Sequence, residues 1–112
     1  MTDEERKEIR GKFREAVNMA PGDLEKWLAT EESRGVGWTR DGEHEAIGHQ
    51  SGRRIVEIER RRTDQLDDED YEHMRKVVGY VHRHLAQRPG GDLRQTRWRY
   101  SLMNWGCNPL KD

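Results

Sequence analysis

Between residues 71 and 85 the apolar side chains fall at Tyr71, Met74, Val78, Val81 and Leu85, with Val77 widening the stripe. That 3-4-3-4 spacing puts them on one face of an α-helix and scatters them on any strand. Asp67 is placed to cap the helix, with Asp70 three residues on as a capping-box partner, and Pro89-Gly90-Gly91 ends it. A helix of roughly five turns with one apolar face must bury that face, so the rest of the chain is expected to pack around it. Gly79 inside it costs about 1 kcal/mol relative to Ala, which points to a close helix crossing there.

The remaining segments are shorter. Ile9, Phe13, Ala16 and Val17 give an amphipathic helix over about 3–17, with Asp3, Glu4 and Glu5 in its first turn, where the helix dipole favours acids. Met19-Ala20-Pro21-Gly22 breaks it, and Pro21 opens a second helix that carries Leu24, Trp27 and Leu28 and fades by Ser33. Residues 34–50, punctuated by Gly35, Gly37, Gly42 and Gly48, show no period and read as an irregular loop, long enough to be functional or flexible. A third helix is expected from Ser51 as N-cap, carrying Ile55, Val56 and Ile58 up to Arg60-Arg61-Arg62. The last has Thr96 as N-cap, Trp98, Leu102 and Trp105 on one face, and Gly106 as its C-terminal glycine. The expectation is a single all-α domain over 1–112, of four or five helices, with a glycine-punctuated loop between the second and third.

Composition narrows the class of protein. In 112 residues, 31% are hydrophobic and 38% charged, so the core is small and stability modest or partner-dependent. Cys107 is the single cysteine, which excludes an intrachain disulfide. Met1-Thr2-Asp3-Glu4-Glu5 is acidic and polar, unlike a signal peptide, and no apolar run approaches the ~20 residues of a membrane span. A cytoplasmic protein without membrane contact is expected.

The charge is unevenly spread. Residues 1–74 hold 13 Lys/Arg against 20 Asp/Glu, and residues 75–112 hold 8 against 2, so segments of −7 and +6 hide within a net −1. The basic segment includes Thr96-Arg97-Trp98-Arg99-Tyr100-Ser101-Leu102-Met103-Asn104-Trp105-Gly106. Arginines among aromatics suit a nucleic acid, with charge for phosphates and rings for bases. They equally suit a helix whose Arg stems cover an aromatic core.

Four stretches resemble a known family. They are Ala16-Val-Asn-Met-Ala-Pro-Gly-Asp-Leu-Glu-Lys-Trp-Leu28, Gly48-His-Gln-Ser-Gly-Arg-Arg-Ile-Val56, the run from His73 to Pro89, and that from Thr96 to Gly106. Together they are similar to the domain of unknown function 3140 family, over nearly all the chain beyond its first helix. Where that family has Thr before the proline of helix two, this chain has Ala20; where it has His-Asp after the closing glycine, this chain has Cys107-Asn108. Some members carry a DNA-binding label; the resemblance implies that much and supplies neither mechanism nor site.

Several constellations could carry chemistry. Arg75, Lys76, Arg83 and Arg88 lie largely off the apolar stripe, and Arg94, Arg97 and Arg99 follow, opposed within that span only by Asp92. Their alternatives are a solvated face or docking on the chain's own acids in helix one and residues 64–72. Gly48-His49-Gln50-Ser51-Gly52-Arg53-Arg54 offers a helix N-terminus with a hydroxyl and two arginines, a candidate anion site, against the plain reading of a serine cap. His44, His49, His73, His82 and His84 lack converging metal-ligand spacing; no metal or other cofactor is expected, though His84 could hold a phosphate. The acids show no nucleophile–base arrangement, so neither catalysis nor a small-molecule substrate is expected. Trp27, Trp98 and Trp105 sit at core spacing, whereas Trp38, near Val36 and Arg40, is a loop tryptophan and a candidate contact.

These observations favour non-catalytic, sequence-tolerant binding of nucleic acid, DNA first. The candidate contacts are Ser51, Arg53, Arg54, Arg75, Lys76, Arg83, His84, Arg97 and Arg99. The alternative is a protein-interaction module, or a homo-oligomer, whose acidic and basic halves pair.

Overall fold

A computed structural model describes residues 1–37, 39 and 44–111. Its helices are α1 (Asp3–Ala16), α2 (Pro21–Leu28), α3 (Glu31–Gly35), α4 (Ile47–Arg60), α5 (Asp68–Leu85) and α6 (Arg97–Asn104), with a 3-10 turn at Thr63–Gln65. Among the described residues there is no strand, and no helix is long and apolar enough to cross a membrane. Trp38 and Arg40 lie outside the described residues.

The architecture is all-α; α5 packs against α1, α4 and α6, while α2 packs on α4 and α3 on α6, so the shorter helices do not all surround α5 as its stripe suggested. The α5 capping box is present: Asp70 N donates to Asp67 Oδ1 at 2.9 Å, and Asp67 N to Asp70 Oδ2 at 3.1 Å. Acids in its first turn, and Arg83 in its last, match the helix dipole. Tyr71, Met74, Val77, Val78 and Val81 are buried, each valine contributing roughly 1.5–3 kcal/mol. Leu85 is exposed, because the helix end runs past the core.

Helix α1 packs mainly on α5 through Ile9, Phe13 and Ala16. Arg6 and Arg10 tie the pair further: Arg6 Nη2 meets Asp68 Oδ1 at 2.5 Å, and Arg10 Nη1 donates to the Tyr71 hydroxyl at 2.8 Å. Helix α2 starts at Pro21 without a side-chain cap, as Ala20 dictates, and packs on α4 through Leu24 and Leu28.

The region read as a loop over 34–50 is partly helical. Thr30 caps the short α3, accepting from Ser33 N at 3.2 Å. Helix α4 begins at Ile47, four residues before the expected N-cap at Ser51. The early start is set by tertiary packing of small residues, which a search for apolar periodicity passes over. A β-carbon at Gly52 would lie 2.5 Å from the Asn104 carbonyl oxygen and 2.7 Å from Leu28 Cδ2. One at Gly48 would lie 2.9 Å from Trp105 Nε1. The close helix approach is therefore at Gly48 and Gly52, not Gly79, whose β-carbon would meet only the mobile end of Arg83, at 3.1 Å.

Two polar locks fix the C-terminal segment. Asn104, 1% exposed, accepts from Trp27 Nε1 at 2.8 Å and Ser33 Oγ at 2.5 Å, and donates to the Ser33 carbonyl at 3.0 Å. Asn18 Nδ2 donates to the Asn108 carbonyl at 2.9 Å, and Asn108 N returns a bond to Asn18 Oδ1 at 2.8 Å. Gly106, at φ +82°, makes the turn between them. Its carbonyl accepts from Asn18 N and Met19 N. Asn108 is thus structural, and Cys107 is buried, its thiol pushed up by that burial.

Candidate nucleic-acid interface

The nine candidate residues divide by what they already touch. Ser51 is buried in the second turn of α4, where its hydroxyl shares a 2.9 Å hydrogen bond with His73 Nε2. The N–H groups after it point into the helix ladder, so Ser51 does not cap α4, and the hydroxyl of the candidate anion site at residues 48–54 is already engaged. Arg53 lies bidentate against Glu45, with Nε on Oε2 at 2.8 Å and Nη2 on Oε1. Glu45 is half-buried, yet the hydrogen bonds from Arg53 and from His49 hold its carboxyl below its ordinary value. His49 is itself buried, with Nε2 2.7 Å from the Leu28 carbonyl.

Arg54 meets Asp70 Oδ1 at 3.4 Å, and Arg61 meets Asp70 Oδ2 at 2.9 Å. Asp70 is 3% exposed. Burial opposes its charge, but the Asp67 backbone bond and the two guanidiniums outweigh it and hold the carboxyl low. Arg75 sits 3.7 Å from Glu5 and 3.8 Å from Glu72, both exposed pairs that add little stability. Arg53, Arg54 and Arg75 are therefore engaged by the chain's own acids.

The other cations are not. Among the described residues Lys76, Arg83 and Arg97 have no carboxylate partner, and all three are exposed. Arg99 Nη1 donates to the Arg94 carbonyl at 2.9 Å, and its Nε reaches Asn108 Oδ1 at 3.4 Å, so it too is held without a carboxylate. Arg88 lies over the Trp98 ring, 5.7 Å from its centroid. Besides Arg75, Arg94 is paired on this face, with Asp92 at 2.7 Å.

Beneath these cations runs a ladder of parallel rings. His73 stacks on Trp105 at 6.4 Å, Trp105 on Tyr80 at 4.2 Å, Tyr80 on His84 at 5.2 Å, and His84 on Trp98 at 6.4 Å. Trp98 Nε1 donates to the His84 carbonyl at 2.6 Å, fastening the start of α6 to the end of α5. Burial lowers both histidines, His73 to about 4 with help from Arg54 and Lys76, so the His73 ring is neutral at pH 7. His84 is packed among the rings, and its Nε2 is buried without a partner.

Sequence reasoning passed over Tyr80 and Ser101 in this region. The available signal was the spacing of Lys76, Tyr80 and Arg83, four and three apart, which places them on one face of α5. Among the described residues no group of three His, Cys, Asp or Glu side chains converges as a metal site.

Comparison with known proteins adds one finding. No curated protein and no solved structure matches the chain significantly. Residues 12–103, from the last turns of α1 to the end of α6, match the sequence pattern described as "Protein of unknown function (DUF3140)". With most of its length so matched, the chain belongs to the DUF3140 family.

Proposed function

We propose that this protein binds nucleic acid without catalysing a reaction, DNA being the first candidate, through phosphate contacts from α5 and α6. The observation that carries the reading is the division of the cations. Lys76, Arg83 and Arg97 stand on these two helices without a carboxylate among the described residues, while Arg53, Arg54 and Arg75 are occupied. Such contacts need charge at reachable spacing and no base reading, so the binding is sequence-tolerant.

The test is fluorescence anisotropy of a labelled mixed-sequence duplex and of its single strand, titrated from low to physiological salt. Micromolar affinity that falls linearly on a log–log salt plot is the expected result. Arg97→Ala weakens it and Arg53→Ala does not. Absence of binding to either form at low salt overturns the reading.

A second reading draws on the ion pairs themselves. Glu5 of the acidic part lies 3.7 Å from Arg75 of the basic part, which supports an attraction between the two. Exposed Glu31 and Glu32 on α3 could meet the α5–α6 cations of a second copy. Sedimentation would then show a dimer that dissociates with salt, and a monomer at all concentrations removes this alternative.

A further inference from the structure

A cleft of about 320 Å³ opens beside the ring ladder, between α5, the start of α4 and the end of α6. We propose that it holds one unstacked nucleotide, with the phosphate between Lys76 and Arg83 and the base against the edge of Trp105. The inference rests on the nucleic-acid reading of the α5–α6 face and adds what that face would select: single strands or strand ends over duplex.

Charge is the first argument. Lys76 and Arg83 line the cleft from one face of α5, and none of its described lining residues is a carboxylate. The occupant is anionic. The second argument is an unused donor. Trp27 Nε1 and Trp98 Nε1 each donate a hydrogen bond, to Asn104 Oδ1 and to the His84 carbonyl. Trp105 is 4% exposed as a residue, yet its Nε1 is not itself sealed: it opens on the cleft, and no described residue takes its N–H. An indole N–H is a donor only, so what it can take there is an acceptor. Gly48 keeps this one open, since a β-carbon there would lie 2.9 Å from the nitrogen. The ring nitrogens and carbonyl oxygens of nucleobases are acceptors of the required kind.

Shape gives the third argument. Tyr80 is stacked between Trp105 and His84, so the ladder's ring faces are engaged and the cleft is offered ring edges. A flat ring inserted there makes edge-to-face contacts, and Ile47 supplies an apolar wall. The volume is at the small end of the roughly 300–1,000 Å³ of ligand pockets, which suits one nucleotide and no more. A base in a duplex is paired and stacked, and reaches such a cleft only by flipping out, whereas a single strand offers its bases freely.

The experiment compares a labelled twelve-nucleotide mixed-sequence strand with the same strand annealed to its complement, at low salt. The expected result is a preference for the strand of about tenfold. Ser101→Leu fills the cleft without removing a charge and should abolish that preference while leaving duplex affinity unchanged. Lys76→Glu, at an exposed position, serves the same end should the leucine disturb folding, and should weaken the strand more than the duplex. Arg97→Ala weakens both alike. Equal affinities in the parent protein, or a preference that survives both cleft variants, overturns the proposal and leaves the phosphate-binding reading standing. Should neither polymer bind, that reading falls, and adenosine 5′-monophosphate decides the cleft. A shift of the Trp105 indole N–H resonance on its addition supports a free-nucleotide site, and an unmoved resonance rejects one.

Discussion

Arg54 and Arg83 are both arginines on the outside of a helix, yet their surroundings differ in kind. Arg54, with Arg61, reaches a carboxylate that is itself almost fully buried and completes the capping box of the next helix. Arg83 stands at a cleft with no described carboxylate near it. The same contrast separates the α1–α4–α5 side of the molecule from the α5–α6 side. On the first, opposite charges are consumed in holding helices together; on the second, like charges are tolerated over an aromatic floor. Since isolated surface pairs add little stability and uncompensated cations add none, the second side is where an external anion gains most.

If that contrast is right, damage to the first side should be read in stability. Asp70→Ala removes one half of the α5 capping box, the bond that Asp70 Oδ2 accepts from Asp67 N, together with the anchor of two arginines. Both arginines are about two-fifths exposed and can turn to water, so no charge is left buried and what is lost is the charged hydrogen bonding, worth about 1.5–3 kcal/mol. A loss of about 2–3 kcal/mol in urea denaturation is expected. Gly52→Ala should follow closely, at about 1–3 kcal/mol, because one of the atoms its methyl would strike is the Asn104 backbone carbonyl. A variant of normal stability would show that the α4–α6 crossing relaxes freely.

Damage to the second side should be read in binding. Arg83→Ala is expected to leave the melting temperature unchanged and to lower the slope of log affinity against log salt by about 1. Arg53→Ala should leave that slope alone, since Glu45 already occupies it. Equal effects of the two would erase the distinction.

Two smaller effects concern pH. His73 is held at about 4 mainly by burial, below its ordinary 6.5. Between those values the unfolded chain binds a proton that the folded one refuses, so stability falls as pH drops from about 6.5 to about 4. His73→Gln should flatten that part of a thermal-denaturation series. Glu59 has the opposite sign. Desolvation, only partly offset by Arg60, raises it to about 7, and its Oε1 is buried without a partner. Here the folded chain keeps a proton that the unfolded one releases, so stability declines from about pH 4.5 to 7. Glu59→Gln should melt a few degrees higher at pH 8 and no differently at pH 4, the smallest change in the set.

What could be read in the amino-acid order was local. The α5 stripe, the Asp67–Asp70 box, Pro21, the Thr96 cap and Gly106 each declare themselves within a few residues, because helix periodicity and capping act over one or two turns. The start of α4 was not legible, since Gly48, Ser51 and Gly52 are neither apolar nor periodic in hydropathy; they form a helix face only once Trp105 and Asn104 lie against them. Nor could the order of residues say which arginines are spoken for. Arg6 finds its acid 62 positions away, and Asn104 its serine 71 positions away. Composition counted the charges, and folding chose their partners, because an ion pair depends on distance in space and the chain fixes only distance along itself.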